Sequence, residues 1–141
     1  MVTTIAFLIA RALWWEGPAY VIAIGVLLGQ LIVGWTNDLH DYDDDLKHNR
    51  TSKPLVSGLI TTKQLRTAIF VVLPLAVIVN LFGPLGLKGG AVYLLGIGFG
   101  LAYNFYFKFT ALSPLPYVIA FAALPASIVV AVDKTPPLWL M

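Results

Sequence analysis

Residues 18 to 45 read PAYVIAIGVLLGQLIVGWTNDLHDYDDD. From Pro18 to Thr36 the run carries no charged side chain. At Asn37 it changes character, and Asp38, Asp41, Asp43, Asp44 and Asp45 follow. A membrane helix needs about 20 mostly apolar residues. Pro18 suits its start, because the first turn has no use for the missing N–H. The stretch therefore reads as a transmembrane span, Pro18 to about Thr36, that delivers a cluster of acids to the membrane surface.

The rest of the chain agrees with that reading. Of its 141 residues, 59% are hydrophobic and 11% charged; a soluble domain carries roughly 25% charged residues. So little charge does not cover a water-facing surface, and most apolar area must face lipid. Three further spans follow: about Thr67–Phe82, kinked at Pro74; about Gly90–Phe107, rich in glycine and aromatics; and about Leu112–Val132, opened by Pro114 and Pro116 and interrupted by Pro125. Gly83-Pro84 and Gly89-Gly90 read as a tight turn between the second and third spans. The first 15 residues are apolar but short, and Arg11, Trp14 and Trp15 suit a membrane interface. They read either as an interfacial helix or as a shortened span. They do not read as a signal peptide, since the apolar run Ile5–Ala10 is short and no Lys or Arg precedes it. The expected fold is an all-α polytopic transmembrane bundle, with about four full spans plus a short N-terminal helix, forming one membrane domain over residues 1–141.

Charge gives the orientation. Lys47, Arg50, Lys53, Lys63 and Arg66 lie in the long connection after the first span, and Lys108, two spans later, lies on the same side. Lys88 and Lys134 lie on the other. The positive-inside rule puts the long loop in the cytoplasm, so this is an integral membrane protein whose acidic loop faces the cytoplasm and whose Lys108 can meet the acids. The net charge of +2 and the absence of a basic helix face speak against nucleic acid. The absence of cysteine excludes disulfides and thiolate chemistry.

The acids have helical spacing. Asn37 and Asp41 are four apart, Asp38 and Asp41 three, Asp41 and Asp45 four. If the first helix continues through them, all four share one face. Such a face repels itself unless a cation sits in it. Hard oxygen ligands suit Mg²⁺, which keeps waters and is completed by substrate phosphates. Asn37, Asp38, Asp41 and Asp45 are therefore the candidate metal ligands, with Asp43 and Asp44 off that face. An EF-hand is excluded, because Leu46 stands where the loop needs Gly and Ser52 where it needs Glu. His40 and His48 are eight apart with no third imidazole and read as solvated or hydrogen-bonded side chains.

The stretch Asn37-Asp38-Leu39-His40-Asp41-Tyr42-Asp43-Asp44-Asp45 resembles the N-D-x-x-D-x-x-x-D motif of the UbiA-type intramembrane prenyltransferases. Arg50, Lys53-Pro54-Leu55 and Ser57-Gly58 look like that family's R-x-x-R-P-L-x-S-G stretch, with Lys53 where Arg is commoner. Tyr103-Asn104, Lys108, Thr110 and Leu112-Ser113 look like its Y-N-x-x-x-K-x-T-x-L-S stretch. The resemblance implies an Mg²⁺-dependent membrane enzyme that moves a prenyl group from a prenyl diphosphate to an aromatic or other lipophilic acceptor. It implies that Asn37, Asp38, Asp41 and Asp45 hold metal and diphosphate, and that Arg50, Lys53 and Lys108 contact the diphosphate. Asp38, Asp41 and Lys108 are the expected catalytic residues. Asn37, Arg50, Lys53, Tyr103 and Asn104 are the expected substrate-binding residues. Tyr103 and Tyr106 are candidates to steady an allylic cation through their ring faces, and Asn104 either hydrogen-bonds within the site or caps a helix end.

The chain departs from the family in one respect. Members carry a second acidic motif, of D-x-x-x-D type, in the other half of a longer chain. Here the only acid after Asp45 is Asp133, which the topology places on the opposite face. The expectation is that these residues are the N-terminal part of a longer prenyltransferase, inactive or nearly so alone, with a C-terminal half as partner. Two alternatives come from other classes. One is a non-catalytic membrane assembly subunit. The other is a cation-handling membrane protein, which the lack of ionisable residues deep in the spans disfavours.

Overall fold

A computed structural model describes residues 1–13 and 19–132. Its elements are α1 (Val2–Leu13), α2 (Ala19–His40), the short α3 (Tyr42–Lys47), α4 (Thr62–Phe82), α5 (Gly86–Ala102), continued as a π-helical turn over Tyr103–Phe107, and α6 (Pro114–Val132). No strand occurs among the described residues. Four of these helices, α2, α4, α5 with its π turn, and α6, are long and apolar enough to cross a membrane. At 1.5 Å per residue, the 22 residues of α2 reach about 33 Å, against a hydrocarbon core of about 30 Å.

The helices close a ring. α1 packs on α2, α2 on α4, α4 on α5, α5 on α6 and α6 on α1, while α2 and α5 also touch across the middle. Bulky side chains such as Phe70, Phe82 and Leu95 point outward, as they must where the surrounding medium is lipid. Inside, side-chain donors find backbone carbonyls, since hydrocarbon offers no partner. The Asn80 Nδ2 donates to the carbonyls of Ala76 at 2.8 Å and Gly25 at 3.2 Å, tying α4 to α2.

Several boundaries differ from the sequence reading. α4 begins at Thr62, a full turn before Thr67. Thr61 and Gln64 form a reciprocal cap: the Thr61 hydroxyl accepts from the Gln64 N–H, and the Gln64 side chain accepts from the Thr61 N–H. The first turn carries Lys63 and Arg66, whose long stems keep their charges at the surface while the helix enters lipid. Gly83-Pro84 does form the turn, but Gly89 and Gly90 lie inside α5. Their role is close approach: a Cβ on Gly90 would stand 2.0 Å from the Asn80 carbonyl oxygen. α1 is a short helix of 12 residues that buries Ala6 and Ala10 in the core. Trp14, Trp15, Pro18 and Asp133, which the sequence reading also used, lie outside the described residues.

Candidate functional site at the acidic end of the bundle

Helix α2 does not stop at the membrane edge. It carries Asn37 and Asp38 on regular turns to His40, and after a bend at Asp41 the chain continues as α3. Backbone bonds span the bend, from the Asp41 N–H to the Asn37 carbonyl at 2.9 Å and from the Asp45 N–H to the Asp41 carbonyl at 2.8 Å. The four oxygen-bearing residues thus keep nearly helical spacing. The loop that follows doubles back on them. The Arg50 N–H returns to the Asp45 carbonyl at 3.0 Å, and Lys53 and Ser57 make further turns. Leu55 is buried beneath. Gly58 adopts a φ of 77°, where other residues are strained.

This folding places cations among the acids in two groups. In the first, Lys53 Nζ lies 2.7 Å from Asp45 Oδ2 and 3.0 Å from Asp38 Oδ1, while Arg50 reaches Asp45 Oδ1 at 3.1 Å. Asp45 is 1% exposed. Its bond to Lys53 holds the carboxyl below the usual range, against the cost of burial and with help from Arg50. Burial by itself would lower the Lys53 ammonium, but Asp45 and Asp38 together outweigh it and raise it above its ordinary value.

In the second group, Lys108 arrives from the far end of α5. Its ammonium donates to Asn37 Oδ1 at 2.9 Å and pairs closely with Asp41 Oδ2. The π turn sets its direction, with the Lys108 N–H bonded to the Tyr103 carbonyl five residues back. Such turns are frequent at functional sites. One helical turn deeper, the buried Asn104 Nδ2 donates to the Val33 carbonyl at 2.9 Å. Val33 and Asn37 are successive turns of α2 and Asp41 lies at the bend that ends it, so Asn104 and Lys108 fasten two helices that run in the same direction. Asn104 is therefore an interhelical tie rather than a cap on its own helix.

Directly below this end lies a cavity of about 280 Å³ between α2, α5 and α6. Asn37, Tyr103, Asn104 and Tyr117 line its mouth, and Gln30 and Tyr93 line its deep end. The Tyr103 ring sits 5.7 Å from Tyr117, and Tyr117 sits 4.6 Å from Phe121. Tyr106 does not line the cavity; it is 77% exposed and packs beside Phe105. Asp43 and Asp44 are exposed, and Asp44 lies beside His48.

The structure thus brings together Asn37, Asp38, Asp41, Asp45, Arg50, Lys53 and Lys108, with Tyr103 and Asn104 beneath. The four proposed ligands divide into two pairs, each centred on a lysine. Among the described residues no three His, Asp or Glu side chains stand together around one point. Sequence reasoning missed Gln30, Tyr93, Tyr117 and Phe121 in the cavity wall. Their signals were slight: one amide within an apolar span, and an aromatic pair four residues apart.

No curated protein and no solved structure matches the chain. The family model for the UbiA prenyltransferase family matches residues 1–141, the whole chain. An all-helical bundle with four candidate spans and a match of that extent identify the chain as an integral membrane protein that belongs to the UbiA prenyltransferase family.

Proposed function

We propose that this acidic end binds a prenyl diphosphate together with Mg²⁺ on the cytoplasmic side, and that the prenyl group passes to an aromatic or lipophilic acceptor in the cavity below. The observation that carries the reading is one juxtaposition. A mouth of carboxylates and ammonium groups sits directly on an apolar, partly aromatic cavity. A prenyl diphosphate has that same division into a charged head and a greasy tail.

The donor chemistry suits Mg²⁺. Asn37, Asp38 and Asp41 offer only hard oxygens, and Mg²⁺ is usually held by one or two carboxylates plus phosphate rather than by a full protein cage. Pairs of ligands therefore suffice. Asp45, buried and paired with Lys53 and Arg50, would join them once Lys53 released it to the diphosphate. When bound, Mg²⁺ supplies neutralisation of the charge that develops on the leaving group.

The chain's own residues do the rest. As the allylic carbon–oxygen bond breaks, its electron pair stays on the diphosphate oxygen. Lys108, Lys53 and Arg50 donate hydrogen bonds to that oxygen and its neighbours, where new charge appears. The allylic carbon bonds to an electron-rich atom of the acceptor, which releases its proton to the departing diphosphate. Tyr103 presents a ring face toward the electron-poor carbon. The apolar walls keep out water that would capture it. The family's second acidic motif is not among residues 1–141, so this reading leaves the far side of the diphosphate to be supplied from elsewhere.

Calorimetry with inorganic diphosphate tests the reading. Binding to the purified protein should require Mg²⁺, and Asp38→Asn and Asp41→Asn should each weaken it by about ten-fold or more. Diphosphate affinity that is indifferent to chelator and to Asp41→Asn would sink it.

A further inference from the structure

At the acidic end, the two connections between spans differ in what they show to the outside. The connection after α3 presents a run of exposed polar side chains, His48 to Ser52. The short connection from α5 to α6 presents apolar ones. Phe109 is 86% exposed and Leu112 60%, and Tyr106 and Leu115 are exposed as well. Between Gly89 and Val132 the only charged side chain is Lys108. It turns inward, onto Asn37 and Asp41. The outward side of the turn is left to rings, aliphatic chains and hydroxyls.

The turn does not reach far from the bilayer. Gly86 to Phe107 is 22 residues of helix, about 33 Å, which already crosses a hydrocarbon core of about 30 Å. A headgroup layer adds about 5–7 Å on each side. Only residues 108 to 113 separate that helix from Pro114, where α6 begins. They fold into tight turns. The Thr110 N–H bonds to the Phe107 carbonyl at 3.0 Å, and the Ser113 N–H to the Thr110 carbonyl at 3.1 Å. These bonds keep the segment at the rim of the bundle. They also satisfy backbone groups that a water-poor layer would leave unpaired.

An exposed apolar patch of this kind calls for a cover, and the lipid surface fits it best. The patch joins the ends of two helices whose exposed side chains, Leu95 and Phe99 on α5 and Val118 on α6, already face lipid. Tyr106 is of the amphipathic ring type that sits at headgroup level. We propose that the α5–α6 turn is a membrane-surface anchor, with Phe109, Leu112 and Tyr106 seated in the headgroup layer of the bilayer, and that it fixes the depth of the turn that carries Lys108. The Phe109 ring centroid lies 5.9 Å from the Lys108 ammonium, within cation–π reach. The ring seated in lipid therefore also meets the ammonium that pairs with Asp41. The anchoring is independent of the transferase reading.

The chain contains no cysteine, so a single introduced cysteine carries a nitroxide label at a known position. Phe109→Cys, Leu112→Cys and, from the polar connection, Thr51→Cys are labelled and reconstituted in palmitoyl-oleoyl phosphatidylcholine vesicles. Electron paramagnetic resonance then reads the collisions of each label with oxygen, which concentrates in lipid, and with a water-soluble nickel chelate. The oxygen-to-nickel ratio at Phe109 and Leu112 should be several-fold above that at Thr51, with both labels within about 10 Å of the headgroup boundary. The Leu112 label also tests Phe109 itself. Adding Phe109→Asp, which sets a charge in the apolar layer, should return the Leu112 ratio toward that at Thr51. Phe109→Leu keeps most of the apolar area and should leave the ratio within about two-fold. Ratios at Phe109 and Leu112 equal to that at Thr51 overturn the proposal. So do immobilised labels shielded from both reagents, which mark a protein cover such as a second copy of this chain, and so does a Leu112 ratio that Phe109→Asp leaves unchanged.

Discussion

The two lysine-centred groups at the acidic end are built by opposite means. Lys53 and Arg50 reach Asp45 from the adjoining loop, within a few residues of chain, and close over a buried carboxylate. Lys108 reaches Asn37 and Asp41 across 71 and 67 residues, held in place by the packing of α5 on α2 and by the Asn104 tie. The first group is a local clamp that shapes the loop. The second is a tertiary contact at the mouth of the cavity. Under the proposed function all three cations serve the diphosphate, but the contrast gives them different second duties: Lys53 and Arg50 also maintain the geometry of the surface loop, whereas Lys108 has no loop to hold.

The sharpest way to break that division is Lys108→Met. It removes one ammonium from a site only 22% exposed and leaves the Asp41 carboxylate without its partner, so stability should fall by about 1–3 kcal/mol. Affinity for magnesium diphosphate should fall by about 100-fold, the scale of a lost charge-assisted contact to a multiply charged ligand. Calorimetry and a melting curve on the same sample check both. A large loss of stability with unchanged affinity would assign Lys108 to the fold instead.

Acid separates the groups from the other side. The folded-state pKa of Asp45 is depressed, so its stabilisation is fully present above the ordinary carboxylate range. It is lost as the pH falls through the depressed value, below about 4. Hydrogen-exchange protection factors for the backbone of Arg50 to Ile60 should be flat from pH 7 to about 5 and drop below about 4. Asp45→Asn should show the drop already at pH 7, by about ten-fold or more, because hydrogen bonds to charged groups contribute about 1.5–3 kcal/mol. Residues of α5 should not respond. A loop equally protected in Asp45→Asn would mean that Leu55 and the backbone turns hold it without the clamp.

The sequence revealed these two groups unequally, for physical reasons. The spans were legible because hydrocarbon tolerates few charges, and counting spans placed Lys108 beside the acids, where the structure finds it. The pairing of Asp45 with Lys53 was less legible, because periodicity locates a carboxylate on a helix face but says nothing of a loop that folds back over it. The start of α4 was misplaced because Lys63 and Arg66 interrupt the apolar run without interrupting the helix. Gly89 and Gly90 were read as a turn because composition alone does not distinguish a glycine that bends the chain from one that lets another helix approach. Gln30 stayed hidden for a related reason: hydropathy fixes the extent of a span, and only packing decides which side of it faces a cavity.

The smallest expected effect tests how Lys108 is aimed. Asn104 lies one turn deeper and is bonded to α2 at the Val33 carbonyl, 2.9 Å away. Interhelical hydrogen bonds of this kind in membranes contribute about 0.6 kcal/mol on average and at most about 1.7. Asn104→Ala should therefore lower stability by about 1 kcal/mol and leave the bundle folded. Its consequence for the ligand is indirect. With the tie gone, the π turn relaxes, and the Lys108 ammonium samples positions away from Asn37 and Asp41. Diphosphate affinity should then fall only two- to three-fold (about 0.4–0.7 kcal/mol), far short of the effect of Lys108→Met. Adding Asn104→Ala to Lys108→Met should cost no further affinity, because a positioning residue has nothing left to position. If the two losses add in full, Asn104 acts on the ligand itself, and its amide belongs to the binding site rather than to the joint between helices.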